Sequence, residues 1–104
     1  MIDSVEATAT LTTQTFVGLD GGICKNGAKA YGVCDADTDK GQLAPVAVLG
    51  ILLVKAVGVI TKGVKVTSNA EGKEIPVSSS EEVNGYALDD ASGDGDIIRI
   101  VRGI

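Results

Sequence analysis

Two stretches of the chain gather enough carboxylates to hold a cation. The first, CDADTDKG at 34–41, sets Asp35, Asp37 and Asp39 at alternate positions. An EF-hand calcium loop needs glycine at position six for its sharp turn and a bidentate Glu at position twelve. Here Lys40 stands at position six, Gly41 comes one residue late, and position twelve is Val46. A lysine inside a cation cage opposes the ion. The segment therefore reads as a turn in which Asp and Thr hydrogen-bond their own backbone and Gly41 takes the left-handed conformation. The second stretch, DDASGDGD at 89–96, has four carboxylates and two glycines. It reads as a solvated loop that discourages edge pairing. No metal site is expected at either.

Nucleophilic and redox chemistry find no better support. Ser78, Ser79 and Ser80 lie in a polar run, and the chain has no His to activate them. Neither GxxxxGK[ST] nor GxGxxG occurs, so no phosphate cradle is encoded. Cys24 and Cys34 are ten residues apart with no CxxC motif. They could meet if their strands pair, while free thiols are the default in a reducing compartment. The expectation is a protein that is not an enzyme and carries no cofactor. The net charge of −5 repels phosphate, so no nucleic-acid partner is expected. The apolar run at 43–60 is interrupted by Pro45, Gly50, Lys55 and Gly58, which argues against a membrane span. The N-terminus has no signal-peptide pattern, pointing to synthesis in a cytoplasm.

The elements that would position these groups are short strands. The chain has 104 residues, enough for one domain, and only Phe16, Tyr31 and Tyr86 supply aromatic bulk. Val, Ile, Leu and Ala must fill a thin core, and fourteen glycines favour tight turns. Strands are expected at 29–34, 42–49, 51–55, 83–90 and 96–103, with Pro45 at an edge or bulge and Gly50 at a bend. Residues 64–77 read as a hairpin around NAEG. At most one helical turn fits, near 56–62. The fold class is all-β, a small barrel-like or sandwich-like domain of about seven or eight strands, over residues 15–104. Residues 1–14 form a separate N-terminal segment in which Ala and Leu alternate with Thr over 7–13. Such a strand offers little core bulk. It reads either as a frayed terminus or as an arm that adds to another chain's sheet edge.

The order of motifs carries a resemblance. AYGVCDADTDKGQLAPVAVLGILLVKA, VITKGVKVTSNAEGK and VNGYALDDASGDGDIIRIVRG follow one another over residues 29–103. Gly41, Val46, Val48 and Gly50 fit the first half of a recurrent pattern, Ile60, Gly63, Val66, Gly72 and Lys73 a corner with its hairpin, and Gly85, Ala87, Leu88, Ala91, Gly93 and Ile100 the end. The pattern resembles the small capsid cement, or head decoration, proteins of tailed phages, a family sometimes mislabelled as a phage recombinase. The resemblance implies a structural protein on the outer capsid surface of the virion. It also implies a homotrimer at three-fold or quasi-three-fold positions, bound to the major capsid protein and clamping adjacent subunits of the expanded head. Ile2, Val5, Leu11 and Phe16 are the expected capsid-contact residues of the arm. The alternative is a virion-surface binding module for a glycan or host protein, which the scarcity of aromatics disfavours.

Overall fold

The structure, a computed structural model, describes residues 1–103. Nine strands run in chain order: β1 Ile2–Glu6, β2 Phe16–Gly18, β3 Ala30–Cys34, β4 Leu43–Ala47, β5 Gly50–Lys55, β6 Lys65–Ser68, β7 Glu74–Pro76, β8 Gly85–Ala87 and β9 Ile97–Arg102. They form two antiparallel sheets, ordered β1-β4-β3-β2 and β5-β9-β8-β6-β7. The sheets stack as a sandwich and do not close into a barrel. The expected strands from residue 29 onward are present. The two additional ones, β1 and β2, lie in the stretch that carries the weakest apolar pattern. Residues 56–62 form bends and isolated bridges, and no helix is found among the described residues.

Alternation explains how the longest pair is built. In β5 and β9, Leu52 faces Ile100 and Val54 faces Ile98, and all four are buried between the sheets. Val66, Ala87, Phe16, Ala30 and Val33 complete this core. Gly50, at φ +103°, turns the chain from β4 in one sheet to β5 in the other, a conformation that side chains with a Cβ rarely adopt. Gly32 serves a different need. A Cβ there would stand 2.4 Å from the Ala47 carbonyl oxygen, so only glycine lets β3 and β4 approach.

Pro45 lies in an inner strand, not at an edge as its ring would suggest. Its carbonyl accepts from Asp35 N on the β3 side at 2.9 Å, and its nitrogen, which points the same way, has no hydrogen to donate. The β3–β4 ladder ends one residue earlier, at Cys34↔Val46. The missing donor thus falls where pairing stops.

Residues 1–14 differ most from the sequence reading. They belong to the same body as the rest of the chain. β1 pairs with β4 from Ile2↔Ala47 to Glu6↔Leu43. Residues 7–15 then fold across the outer face of the four-stranded sheet, where Ala7 and Leu11 join Val17, Cys34, Ala44 and Val46 in a second core. Backbone hydrogen bonds fasten this cover. Ala7 N donates to Gln42 O at 2.9 Å, and Leu11 exchanges bonds of 2.8 and 2.9 Å with Thr38. Gln14 is the one non-glycine residue at positive φ among those described. Its N donates to Cys34 O and its carbonyl accepts from Lys55 N, so it ties the two sheets together. A Thr/Ala segment is too slight to form a core alone, but it suffices as a roof over a sheet whose face is itself made of Ala and Val.

Cys24 and Cys34 are both free and buried, one in each core.

Candidate contact surface

The carboxylate-rich turns close loops. Asp37 Oδ1 accepts from Thr13 N at 2.8 Å, helping to hold the roof. Asp90 Oδ1 accepts from Lys62 N, and Asp96 Oδ2 from both the N and Oγ of Ser92. Asp89 forms a two-pronged pair with Arg99, whose Nη2 lies 2.9 Å from Oδ1 and whose Nε lies 3.0 Å from Oδ2. The Arg99 guanidinium holds the Asp89 carboxyl down at about 2. Glu81 is also held at about 2, by the backbone N–H of Ser79 and its neighbours together with the Ser78 hydroxyl. Among the described residues no cluster of three or more Cys, Asp or Glu is arranged to hold a metal ion.

What the molecule presents instead is apolar surface. On β5 the buried residues alternate with Ile51, 63% exposed, and Leu53, 49% exposed. Their cross-strand neighbours on the same outer face are Val101 and Arg99. Beside them, Met1, Ile2 and Leu49 are also exposed. These residues line a cleft of about 280 Å³ between the start of β1 and the flank of β5. Exposed aliphatic side chains drawn from two separate parts of the chain, 1–2 and 49–53, thus form one ridge. Single exposed hydrophobes are ordinary on a soluble protein, whereas a contiguous set marks a binding surface.

The backbone of β5 adds to this ridge. β5 is an edge strand. Lys55 pairs with Ile97, yet its N–H donates to Gln14 O, so it occupies a position that does not bond to β9. Alternation places Leu53 and Ile51 in the same class, with their N–H and C=O groups directed to the open edge. Arg99, opposite Leu53, agrees, since its carbonyl accepts from Leu88 N on the β8 side. An incoming strand would find two residues' worth of free backbone flanked by aliphatic side chains.

The four residues expected to touch a partner divide sharply. Ile2 is 57% exposed and stands on the ridge. Val5 is half-buried against the second core beside Tyr31 and Val48. Leu11 and Phe16 are interior, at 1% and 0% exposure. Leu11 is the centre of the roof, and Phe16 is the largest side chain between the sheets. The structure does not bring the four together as one surface. The ridge residues Leu49, Ile51 and Leu53 were missed, although a signal was present. The run ILLV is apolar at every position, and a strand buried on only one face must then leave two of those residues outside.

The chain matches the family model for phage cement proteins over residues 1–102. Among curated proteins none matches. Among solved structures, the head fiber gp8.5 N base of bacteriophage phi29 is similar in fold, with a TM-score of 0.78 and 24% identity over 97% of this chain and 93% of that one. This chain therefore belongs to the phage cement proteins, structural proteins associated with the phage capsid.

Proposed function

We propose that this phage cement protein lies on the outer surface of an expanded head and clamps adjacent major capsid subunits, using the ridge of Ile2, Leu49, Ile51 and Leu53. The observation that carries the reading is the pairing of exposed aliphatic side chains with the open backbone of β5. Burial of such side chains contributes about 25 cal/mol per Å² removed from water. An added strand fixes register through main-chain hydrogen bonds. A clamp that touches two subunits gains further, because the second contact forms at the high effective concentration set by the first. The same surface, repeated around a homotrimer at three-fold and quasi-three-fold positions, joins several subunits at once. On this reading Ile2 makes contact directly, Val5 steadies β1 from beneath, and Leu11 and Phe16 hold the scaffold.

Expanded heads and procapsids stripped of this protein provide the test. The protein is expected to co-sediment with expanded heads and not with procapsids, and to raise the temperature at which the heads release DNA. The pair Ile51→Lys and Leu53→Lys should leave the circular dichroism spectrum unchanged and weaken head binding by roughly a hundredfold, the scale of a central interface residue. Equal binding by that variant would remove the ridge from the account.

A further inference from the structure

The cleft beside the ridge reaches deeper than the ridge itself. Its floor is formed by Val33, Ala47 and Leu52, core residues drawn from both sheets, so it opens between the layers along the flank of β5. Ala47 and Leu52 are the most exposed members of that core, at 9% and 7%. The interior is therefore least closed where the strand edge is open.

The edge above the cleft already accepts backbone from outside its own sheet. Lys55 N donates to Gln14 O at 2.8 Å, the bond that a neighbouring strand would make. Gln14 fills that one place and then leads into β2 of the other sheet. At the opposite end, the Leu49 carbonyl accepts from the Met1 amine at 3.2 Å. Between these two stops, residues 51–53 make no backbone bond across the edge among the described residues. In a strand added here, a residue opposite Leu52 shares its face and points inward, whereas residues opposite Ile51 and Leu53 point outward. One inward side chain would thus meet a cleft of about 280 Å³. Asp35 is the one charged side chain of its wall. It is exposed and joins no ion pair among the described residues.

We infer that β5 receives a short extended segment of a capsid subunit, which seats one aliphatic side chain on Val33, Ala47 and Leu52 and sets a basic residue beside Asp35. The inference rests on the clamp reading and adds the chemistry of the partner. The inward side chain is aliphatic because the floor has no polar side chain to answer a donor or acceptor. Main-chain bonds to Ile51 and Leu53 set the register. A cation is favoured because Asp35 borders the site on a chain of net charge −5. A second copy of this chain is a poorer occupant, since it brings the same excess of negative charge.

The isolated full chain tests the inference, with overlapping peptides that tile the major capsid protein as the probes. Methyl and amide NMR spectra would be recorded during each titration. One peptide that carries an aliphatic and a basic residue is expected to give saturable shifts at the methyls of Val33, Ala47 and Leu52 and at the amides of Ile51 and Leu53. Asp35→Asn alters an exposed side chain and should weaken that binding about threefold. Ala47→Met narrows the cleft without touching Ile51, Leu53 or the β5 backbone, and should weaken it about tenfold. The inference is overturned if no peptide gives saturable shifts, if the shifts stay on the outer methyls of Ile51 and Leu53, or if Asp35→Asn binds as the wild type does. Shifts that follow the concentration of the chain alone would identify a second copy as the occupant and also overturn it. Binding to stripped expanded heads separates this failure from that of the clamp. Loss of binding in the Ile51→Lys and Leu53→Lys pair, with wild-type binding by Ala47→Met, would keep the clamp and remove the inserted side chain. Unchanged binding in that pair would remove the clamp itself.

Discussion

The outer faces of the two sheets received different treatment. That of the four-stranded sheet is covered by the chain's own residues 7–15, with Leu11 pressed against Val17, Cys34 and Val46. That of the five-stranded sheet carries Ile51 and Leu53 into solvent, beside a strand edge whose backbone groups at these two residues are unpaired among the described residues. Both faces are aliphatic. One is closed by the chain itself and the other stays open to solvent. The contrast teaches that the chain has the means to cover an aliphatic face with its own residues, and that on β5 it does not use them; the proposed clamp builds on that difference.

Truncation at the two faces should break this comparison in opposite directions. Leu11→Ala removes a buried side chain from the roof and should cost about 2–5 kcal/mol of stability, read from urea unfolding midpoints. Leu53→Ala, on the open face, should leave the midpoint nearly unchanged. Equal losses would mean that the two faces are built alike.

Glu74, on β7 of the five-stranded sheet, sharpens the comparison, because it is a polar group that this sheet encloses instead of exposing. It is 0% exposed, both carboxylate oxygens lack a partner among the described residues, and burial alone pushes its pKa up to about 8. The folded state therefore prefers the neutral acid. Since the folded value lies above the unfolded value of about 4.5, its favourable contribution is complete below that pH. It is lost progressively as pH rises through about 8. The urea midpoint should fall between pH 5 and pH 9. Glu74→Met should flatten that fall and add about 1–3 kcal/mol at pH 7 by removing an unsatisfied buried group. A pH-independent wild-type midpoint would show that Glu74 is not enclosed.

The smallest effect belongs to the surface pair. Asp89, held at about 2 by Arg99, has a folded value below its unfolded one. Its contribution is present above pH 4 and is lost only as pH falls through about 2. Because both side chains are exposed and screened, Asp89→Asn should barely move the melting temperature at neutral pH.

Much of the fold was legible where alternation and turn chemistry agreed. The 64–77 hairpin is closed by Asn69, whose Oδ1 accepts from the N–H groups of Glu71 and Lys73, as its turn sequence suggests. β9 follows directly from IIRIVR. β1 and the roof were not legible, because Ala and Thr alternate without the bulk that advertises a core. Their place is set by long-range backbone bonds to Gly21, Thr38 and Gln42. The inward turn of Glu74 carried no signal either. In KEIPV the apolar Ile75 is the natural candidate for the interior, yet the register Ser68↔Glu74 fixed by the turn points Glu74 inward. The burial of Leu11 and Phe16, two of the four residues expected at a contact surface, has a related reason. Leu11 and Phe16 were the largest apolar residues of the first segment, so they were needed inside.

The most direct test of the open-face account is hydrogen exchange at single amides, compared between the free protein and the protein bound to expanded heads. The N–H groups of Ile51 and Leu53 should exchange freely in solution and become strongly protected on the head, while Leu11 stays protected in both states. Protection gained elsewhere, with Ile51 and Leu53 still exchanging freely on the head, would contradict the account.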